Sequence, residues 1–230
     1  ERGLYPKRKV IDQMVFLATL RGMQAREARE SAKKWLARLE VAEYADKKLE
    51  TLSKGNQQKV QLAATLVNNP EIVILDEPFS GLDPVNSQIL KDVVNELIGE
   101  DRLVIFSSHQ MSYVEEFCDH IAIINKGEVV LAGELKEIKR EYGRNRLMLA
   151  AENKDVGTLQ EQVEGQLSDL VHISGRGKDF LILELVQGTD RRQVMGRLAQ
   201  TDIQVERFGS YQPSLNDIFV AKVGEEETVR

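Results

Sequence analysis

A chain of 230 residues, 42% hydrophobic and 30% charged, has the composition of an ordinary globular protein and the length of one or two domains. Its net charge of −6 argues against a body that binds nucleic acid, and its single Cys118 excludes an intrachain disulfide framework and fits a reducing compartment. No apolar stretch approaches the roughly 18 residues that a membrane-spanning helix needs, so any membrane contact is expected to come through a partner.

Val10, Met14, Leu17 and Ala18 recur at helical spacing between Val10 and Arg21. From Gln24 to Leu39 the pattern sharpens. Ala25, Ala28, Ala32, Trp35, Leu36 and Leu39 share one face and Arg and Glu the other, so Trp35 reads as a helix-packing residue. A third helix starts near Ser53, carries Val60, Ala63, Ala64 and Val67, and is stopped by Asn68, Asn69 and Pro70. Then the period changes. Ile72 to Leu75 is a short apolar run bounded by a turn, as expected of a buried parallel strand. Pro84 suits the first position of a helix reaching about Ile98. Leu103 to Phe106 is the next strand and Ser112 to Phe117 a short helix.

Ile121 to Ile124 and Glu128 to Leu131 read as strands joined at Asn125-Lys126-Gly127, and Glu134 to Tyr142 as a closing helix. Alternating strands and helices imply an α/β layered core. Gly143 and the polar residues after it mark a domain boundary. Beyond it come a strand (Arg146 to Ala151), a helix (Thr158 to Glu164) and two strands (Leu170 to Ile173, Phe180 to Val186). A helix (Arg191 to Leu198) and a strand (Gln204 to Phe208) complete a βαββαβ order, the ferredoxin-like pattern. A last helix, Ser214 to Val223, precedes a charged tail, 224–230, expected to be disordered.

Three segments carry chemistry. In IVILDEPFSGLD, residues 72–83, the strand runs straight into Asp76 and Glu77. Side chains alternate across a strand, so successive acids at its end can take two jobs. One can hold Mg²⁺, usually through water, and the other can orient or deprotonate the water that attacks a γ-phosphate. Alone, Asp-Glu-Pro would read as a solvated acidic turn. In LSKGNQQ, residues 52–58, Ser53 is placed to cap a helix and Gly55 to let backbone approach an anion. A helix N-terminus offers unpaired N–H groups and partial positive charge, a ready phosphate site. In FSSHQM, residues 106–111, His109 follows a strand, where a lone His is usually structural.

In this order and at these spacings the segments resemble the ATPase subunit of ABC transporters. The resemblance implies that Asp76 is the Walker B aspartate holding Mg²⁺ and Glu77 the catalytic glutamate. LSKGNQQ is similar to the family's signature motif, whose commonest form is LSGGQ; Lys54 and Asn56 depart from it. Ser53, Lys54, Gly55 and Asn56 would then meet the γ-phosphate of ATP bound by a second subunit. Ser80 to Asp83 match the D-loop at the subunit interface, and their turn before a helix serves structure as well. His109 would contact the γ-phosphate and complete the hydrolytic site. The opening ERGLYPKRKV is similar to the stretch after the family's Q-loop, which shapes the groove for cytoplasmic helices of the membrane subunit.

The likeness covers essentially the whole chain. Residues 1–142 resemble the last two-thirds of an ABC ATPase domain, an incomplete P-loop domain with a helical subdomain and a parallel-sheet core. Residues 145–223 resemble the small α+β ferredoxin-like domain on ATPases of sodium-efflux and related export-type transporters, with PSLNDIFV (Pro213 to Val220) as its mark. The implied protein hydrolyses ATP with Mg²⁺, pairs as a homodimer or heterodimer, and drives a membrane-spanning transporter subunit. It would be cytoplasmic, peripheral on the inner face of the cell membrane, with no nucleic-acid partner.

The GxxxxGK(S/T) pattern is absent from these residues; Gly177-Lys178 imitates it, with His172 where the first Gly belongs and Asp179 in place of Ser or Thr. The chain opens on Glu1 rather than Met. The expectation is a protein whose N-terminal part, with the Gly-rich loop, is missing here. These residues alone are expected not to bind or hydrolyse ATP, and to expose a strand edge and apolar surface. The alternatives are a soluble ABC ATPase acting on DNA or ribosomes, or an inactive fragment. Against the former, no heptad array precedes the signature, one ATPase domain is visible, and the C-terminal domain favours a transporter.

Overall fold

The computed structural model describes residues 3–228, with side chains placed through Lys222. The chain packs as two units, one ending at Gln110 and the other starting at Met111. That break falls earlier than Gly143, because the elements from Met111 to Tyr142 share a core with the last helix of the chain.

The first unit opens with three packed helices, α1 (Val10–Leu20), α2 (Ala25–Arg38) and α3 (Lys54–Leu66). Their buried faces are the ones the helical spacing predicts: Val10, Met14 and Ala18, then Ala28, Ala32 and Leu36, then Val60 and Ala63, all fully buried. Trp35 is half-buried beside them. The side-chain amide of buried Gln13 ties down the segment before α1. Its oxygen accepts from the Tyr5 N–H at 2.8 Å, and its nitrogen donates to the Tyr5 and Arg8 carbonyls, each at 3.4 Å.

Beyond α3 lie β1 (Ile72–Asp76), α4 (Pro84–Gly99) and β2 (Leu103–Ser107). The strands pair in parallel from Ile72↔Leu103 to Asp76↔Ser107, with α4 as the crossover. The apolar run IVIL reads as a buried strand, and here the structure corrects the reading. Val73 and Leu75 are buried, but Ile72, Ile74, Leu103 and Ile105 are 48–70% exposed. Those four form the exposed apolar surface anticipated above.

In the second unit, α5 (Met111–Phe117), the antiparallel hairpin β3 (His120–Asn125) and β4 (Glu128–Glu134), α6 (Leu135–Tyr142) and α9 (Leu215–Thr228) come together. Ile123, Leu135 and Leu215 form their small core, with Val114, Leu131 and Phe219 against it. The hairpin turns at Lys126 and Gly127, both at positive φ (50° and 86°), as its sequence signal requires.

Between α6 and α9 lie β5 (Arg146–Ala151), α7 (Val156–Gln166), β6 (Val171–Arg176), β7 (Leu181–Leu185), α8 (Arg191–Leu198) and β8 (Val205–Ser210). The four strands form an antiparallel sheet in the order β6-β7-β5-β8, the ferredoxin-like arrangement that βαββαβ predicts. Leu149, Leu159, Leu167, Leu181, Leu183 and Val194 fill its core without exposure above 2%. Each buried Leu is worth roughly 1.5–3 kcal/mol relative to exposure. Gly143 admits nothing larger: a Cβ there would lie 2.4 Å from the Tyr211 carbonyl oxygen. The last helix continues to Thr228, past Val223 where the sequence placed the start of the charged tail; residues 229 and 230 lie outside the described ones.

Candidate functional site

The three motif segments meet at the C-terminal ends of β1 and β2, the end of a parallel sheet that holds ligands in open α/β folds. The register places Ser107 opposite Asp76. The Ser107 hydroxyl donates to Asp76 Oδ1 and accepts from the Glu77 N–H at 3.2 Å. Among the described residues the other Asp76 oxygen accepts nothing, and the side chain stands exposed at the strand end.

Glu77 leaves the strand with φ 46°, left-handed backbone that costs a non-glycine residue about 1–2 kcal/mol. Such a conformation persists where the surroundings over-determine it, and here they do. The Glu77 N–H also donates to the Ser107 carbonyl at 3.2 Å. The Glu77 carbonyl accepts from the Ser80 N–H at 3.2 Å and from Gln58 Nε2 at 3.2 Å. The carboxylate is clasped by His109: Oε1 accepts from the His109 N–H at 2.9 Å and lies 2.7 Å from His109 Nδ1. The His109 ring is 69% exposed and the Glu77 side chain 33%, so the pair faces open space while held from behind.

Ser53 caps α3, its Oγ accepting from the Asn56 N–H at 3.3 Å. Lys54 is exposed and Asn56 half-buried. Gly55 has a reason within the fold: a Cβ there would lie 3.1 Å from Asn86 Nδ2 and 3.5 Å from Leu82. Asp83 caps α4, accepting from the Val85 N–H at 3.1 Å and the Asn86 N–H at 3.0 Å. The Asn86 N–H and side chain hold its carboxyl below the ordinary carboxylate range. Lys59, buried on α3, is pushed down from the ordinary lysine value by burial, against the opposing charges of Glu40 and Asp83.

The structure thus brings Asp76, Glu77 and His109 into one cluster and lays the start of α3, with Ser53 to Asn56, against the turn that ends at Asp83. His120 and His172 are exposed elsewhere, in β3 and β6. Two polar residues of the cluster had no role in the sequence reading, Ser107 and Gln58. Ser107 was within reach, because two five-residue parallel strands ending at Asp76 and Ser107 pair end to end. Gln58 had no such signal, since its partners are backbone carbonyls.

Among the described residues no group of three or more His, Cys, Asp or Glu side chains forms a metal cage. A single exposed carboxylate with one oxygen engaged and one open fits Mg²⁺, which keeps several waters and binds through one or two carboxylates plus substrate phosphates. The start of α3, capped and exposed at Ser53 and Lys54, fits a phosphate.

Fold and site define a mixed α/β body with Asp76, Glu77 and His109 gathered at a strand end, followed by a ferredoxin-like domain. The family model described as ABC transporter matches residues 2–80, and that described as ATP-binding protein DrrA1-3-like, C-terminal domain, matches residues 133–223. The chain is 43% identical over 224 residues to "Uncharacterized ABC transporter ATP-binding protein YhaQ" of Bacillus subtilis, covering 97% of this chain and 72% of the relative. An ABC transporter ATP-binding protein of Alkalihalophilus pseudofirmus is 41% identical over 97% of this chain and 81% of its own length. "Daunorubicin/doxorubicin resistance ATP-binding protein DrrA" of Streptomyces peucetius is 29% identical over 93% of this chain and 64% of its own. A solved ATP-binding subunit of an ABC transporter shares the fold, with TM-score 0.56 and 24% identity over 70% of this chain and 64% of that one. The chain belongs to the ATP-binding proteins of ABC transporters. It spans less than the full length of each of these relatives. Among the described residues no helix is long and apolar enough to cross a membrane.

Proposed function

We propose that the chain carries the hydrolytic portion of an ATP-hydrolysing subunit of an ABC exporter. In this reading Glu77 takes the proton of the water that attacks the γ-phosphate, and His109 holds the Glu77 carboxylate in place while its ring faces the phosphate. Asp76, oriented by Ser107, holds Mg²⁺, which when bound neutralises charge on the β- and γ-phosphate oxygens. Ser53, Lys54, Gly55 and Asn56 meet nucleotide held by a second ATPase subunit, and Asp83 lies at that subunit boundary. Residues 1–142 are the ATPase portion and 145–223 an accessory domain. Hydrolysis opens the dimer and releases a membrane-spanning partner to its other state. The protein works at the inner face of the cell membrane, and the Gly-rich phosphate loop lies outside this sequence.

The observation that carries the reading is the convergence of Asp76, Glu77 and His109 with Glu77 clasped twice through one oxygen. Export is supported by the C-terminal family match and by a relative named for resistance to daunorubicin and doxorubicin. The test is Glu77→Gln in the full-length protein with its membrane partner. The amide keeps the shape but cannot act as a base, so turnover falls about 10²–10⁴-fold while ATP stays bound and the closed dimer persists. Near-normal turnover would remove Glu77 from the catalytic role.

A further inference from the structure

We infer that Gln58 is a positioning residue for Glu77, and that through it α3 sets the catalytic turn. This rests on the hydrolytic reading of Glu77 given above. Gln58 Nε2 donates to the Glu77 carbonyl at 3.2 Å and to the Pro78 carbonyl at 2.6 Å. An amide nitrogen with two hydrogens can serve two successive carbonyls, which a carboxylate of the same shape cannot. Those carbonyls belong to the left-handed residue whose side chain faces His109 and to the residue after it, so a shift of Gln58 moves the backbone from which the Glu77 carboxylate projects.

The link joins two parts of the molecule that act at different places. The first turn of α3 bears Ser53 and Gly55, and one turn on the same helix grips Glu77 and Pro78. Gly55 packs on Leu82 and Asn86. Helix α3 is therefore coupled to the 77–86 turn through its N-terminal part, and Gln58 supplies hydrogen bonds to that turn's backbone. Engagement of the α3 N-terminus by nucleotide is felt at the catalytic glutamate of the same subunit.

The experiment uses the full-length protein with its membrane partner and two variants. Gln58→Met keeps length and removes the donor; Gln58→Lys keeps a donor of similar reach. Gln58→Met lowers kcat about 10- to 100-fold, as a small misplacement of a catalytic group does, with KM for ATP within about twofold. Gln58→Lys recovers most of the loss. Amide hydrogen exchange on Gln58→Met shows faster exchange at Glu77 and Ser80 with α1 and α2 unchanged. Unchanged kcat in Gln58→Met would overturn the inference. So would a kcat loss that comes with lost protection across α1 and α2 and no recovery in Gln58→Lys. If the unmodified protein itself failed to hydrolyse ATP, the hydrolytic reading would fall. The exchange arm would still decide the link: faster exchange at Glu77 and Ser80 supports it, and unchanged exchange sinks it.

Discussion

On the covered face of the β5–β8 sheet, Leu147, Leu149, Leu181 and Leu183 are at most 3% exposed, while Ile72, Ile74, Leu103 and Ile105 on the β1–β2 sheet are 48–70% exposed. The strands differ in how they are written. In β6 the apolar residues alternate with polar ones, and although β5 and β7 are mostly apolar, Arg146, Glu184 and His172 line up across the three strands on the other side. One covered face is all that pattern needs. In β1 and β2 every position before the last is apolar, so the pattern asks for two covers and the described residues supply one. The candidate site residues gather at the end of the half-covered sheet. One unit closes its sheet over a core; the other carries its candidate site at a strand end.

The comparison breaks most visibly in the closed core. Leu183→Ala removes a fully buried side chain and should cost about 2–5 kcal/mol in urea unfolding. A loss below 1 kcal/mol would mean that the second unit is less tightly packed than its burial implies. Ser53→Ala comes next. It removes the α3 cap, worth about 1 kcal/mol, and in the full-length protein should slow hydrolysis while leaving nucleotide affinity of the single subunit intact. An equal fall in affinity would place Ser53 in its own subunit's nucleotide site instead.

Acid sharpens the comparison by acting on both units alike. The Asp83 cap and the Asp155 cap of α7, the latter held down first by the Thr158 hydroxyl, both have depressed carboxyls. A depressed folded pKa gives stability that is present above the unfolded value of about 3.9 and is lost as pH falls through the folded one. Thermal melts below that pH should weaken both helices together, and Asp83→Asn with Asp155→Asn should flatten the acid limb. A limb unchanged by both substitutions would leave the caps no part in it. Smallest is Ile74→Thr, an exposed change expected to stay within about 0.5 kcal/mol while reducing self-association by light scattering. A large loss of stability there would show that the open face is covered in solution.

Much of this was legible. Period and punctuation gave the kind and order of the helices and strands and many of their ends, because caps and breakers such as Ser53, Pro70, Asp83 and Pro84 sit where the backbone needs them; α9 and β4 run on further. The order βαββαβ sufficed for the second sheet. That Asp76, Glu77 and His109 meet was implied by the family resemblance of their motifs, since a lone His after a strand reads as structural on its own. Harder to read was what holds them: Ser107 acts through strand register, and Gln58 donates to carbonyls that every residue owns. The unit boundary also escaped, since Leu215 lies far along the chain from Ile123 and Leu135, with which it packs. Cutting after Tyr142 would strip that cluster, so tests of the accessory domain need the last helix retained.

The clasp on Glu77 makes its two carboxylate oxygens chemically different. A carboxylate only accepts, so the ring contact requires the hydrogen on His109 Nδ1, which fixes the neutral imidazole as the tautomer with a lone pair on Nε2. Oε1 already accepts from two N–H groups, and among the described residues Oε2 accepts from none. In the proposed reading, a proton taken from water by Glu77 would enter at Oε2, where no N–H bond has to be displaced. Unequal oxygens also separate the symmetric and antisymmetric carboxylate stretches, which gives this residue an infrared signature distinct from those of freely solvated glutamates.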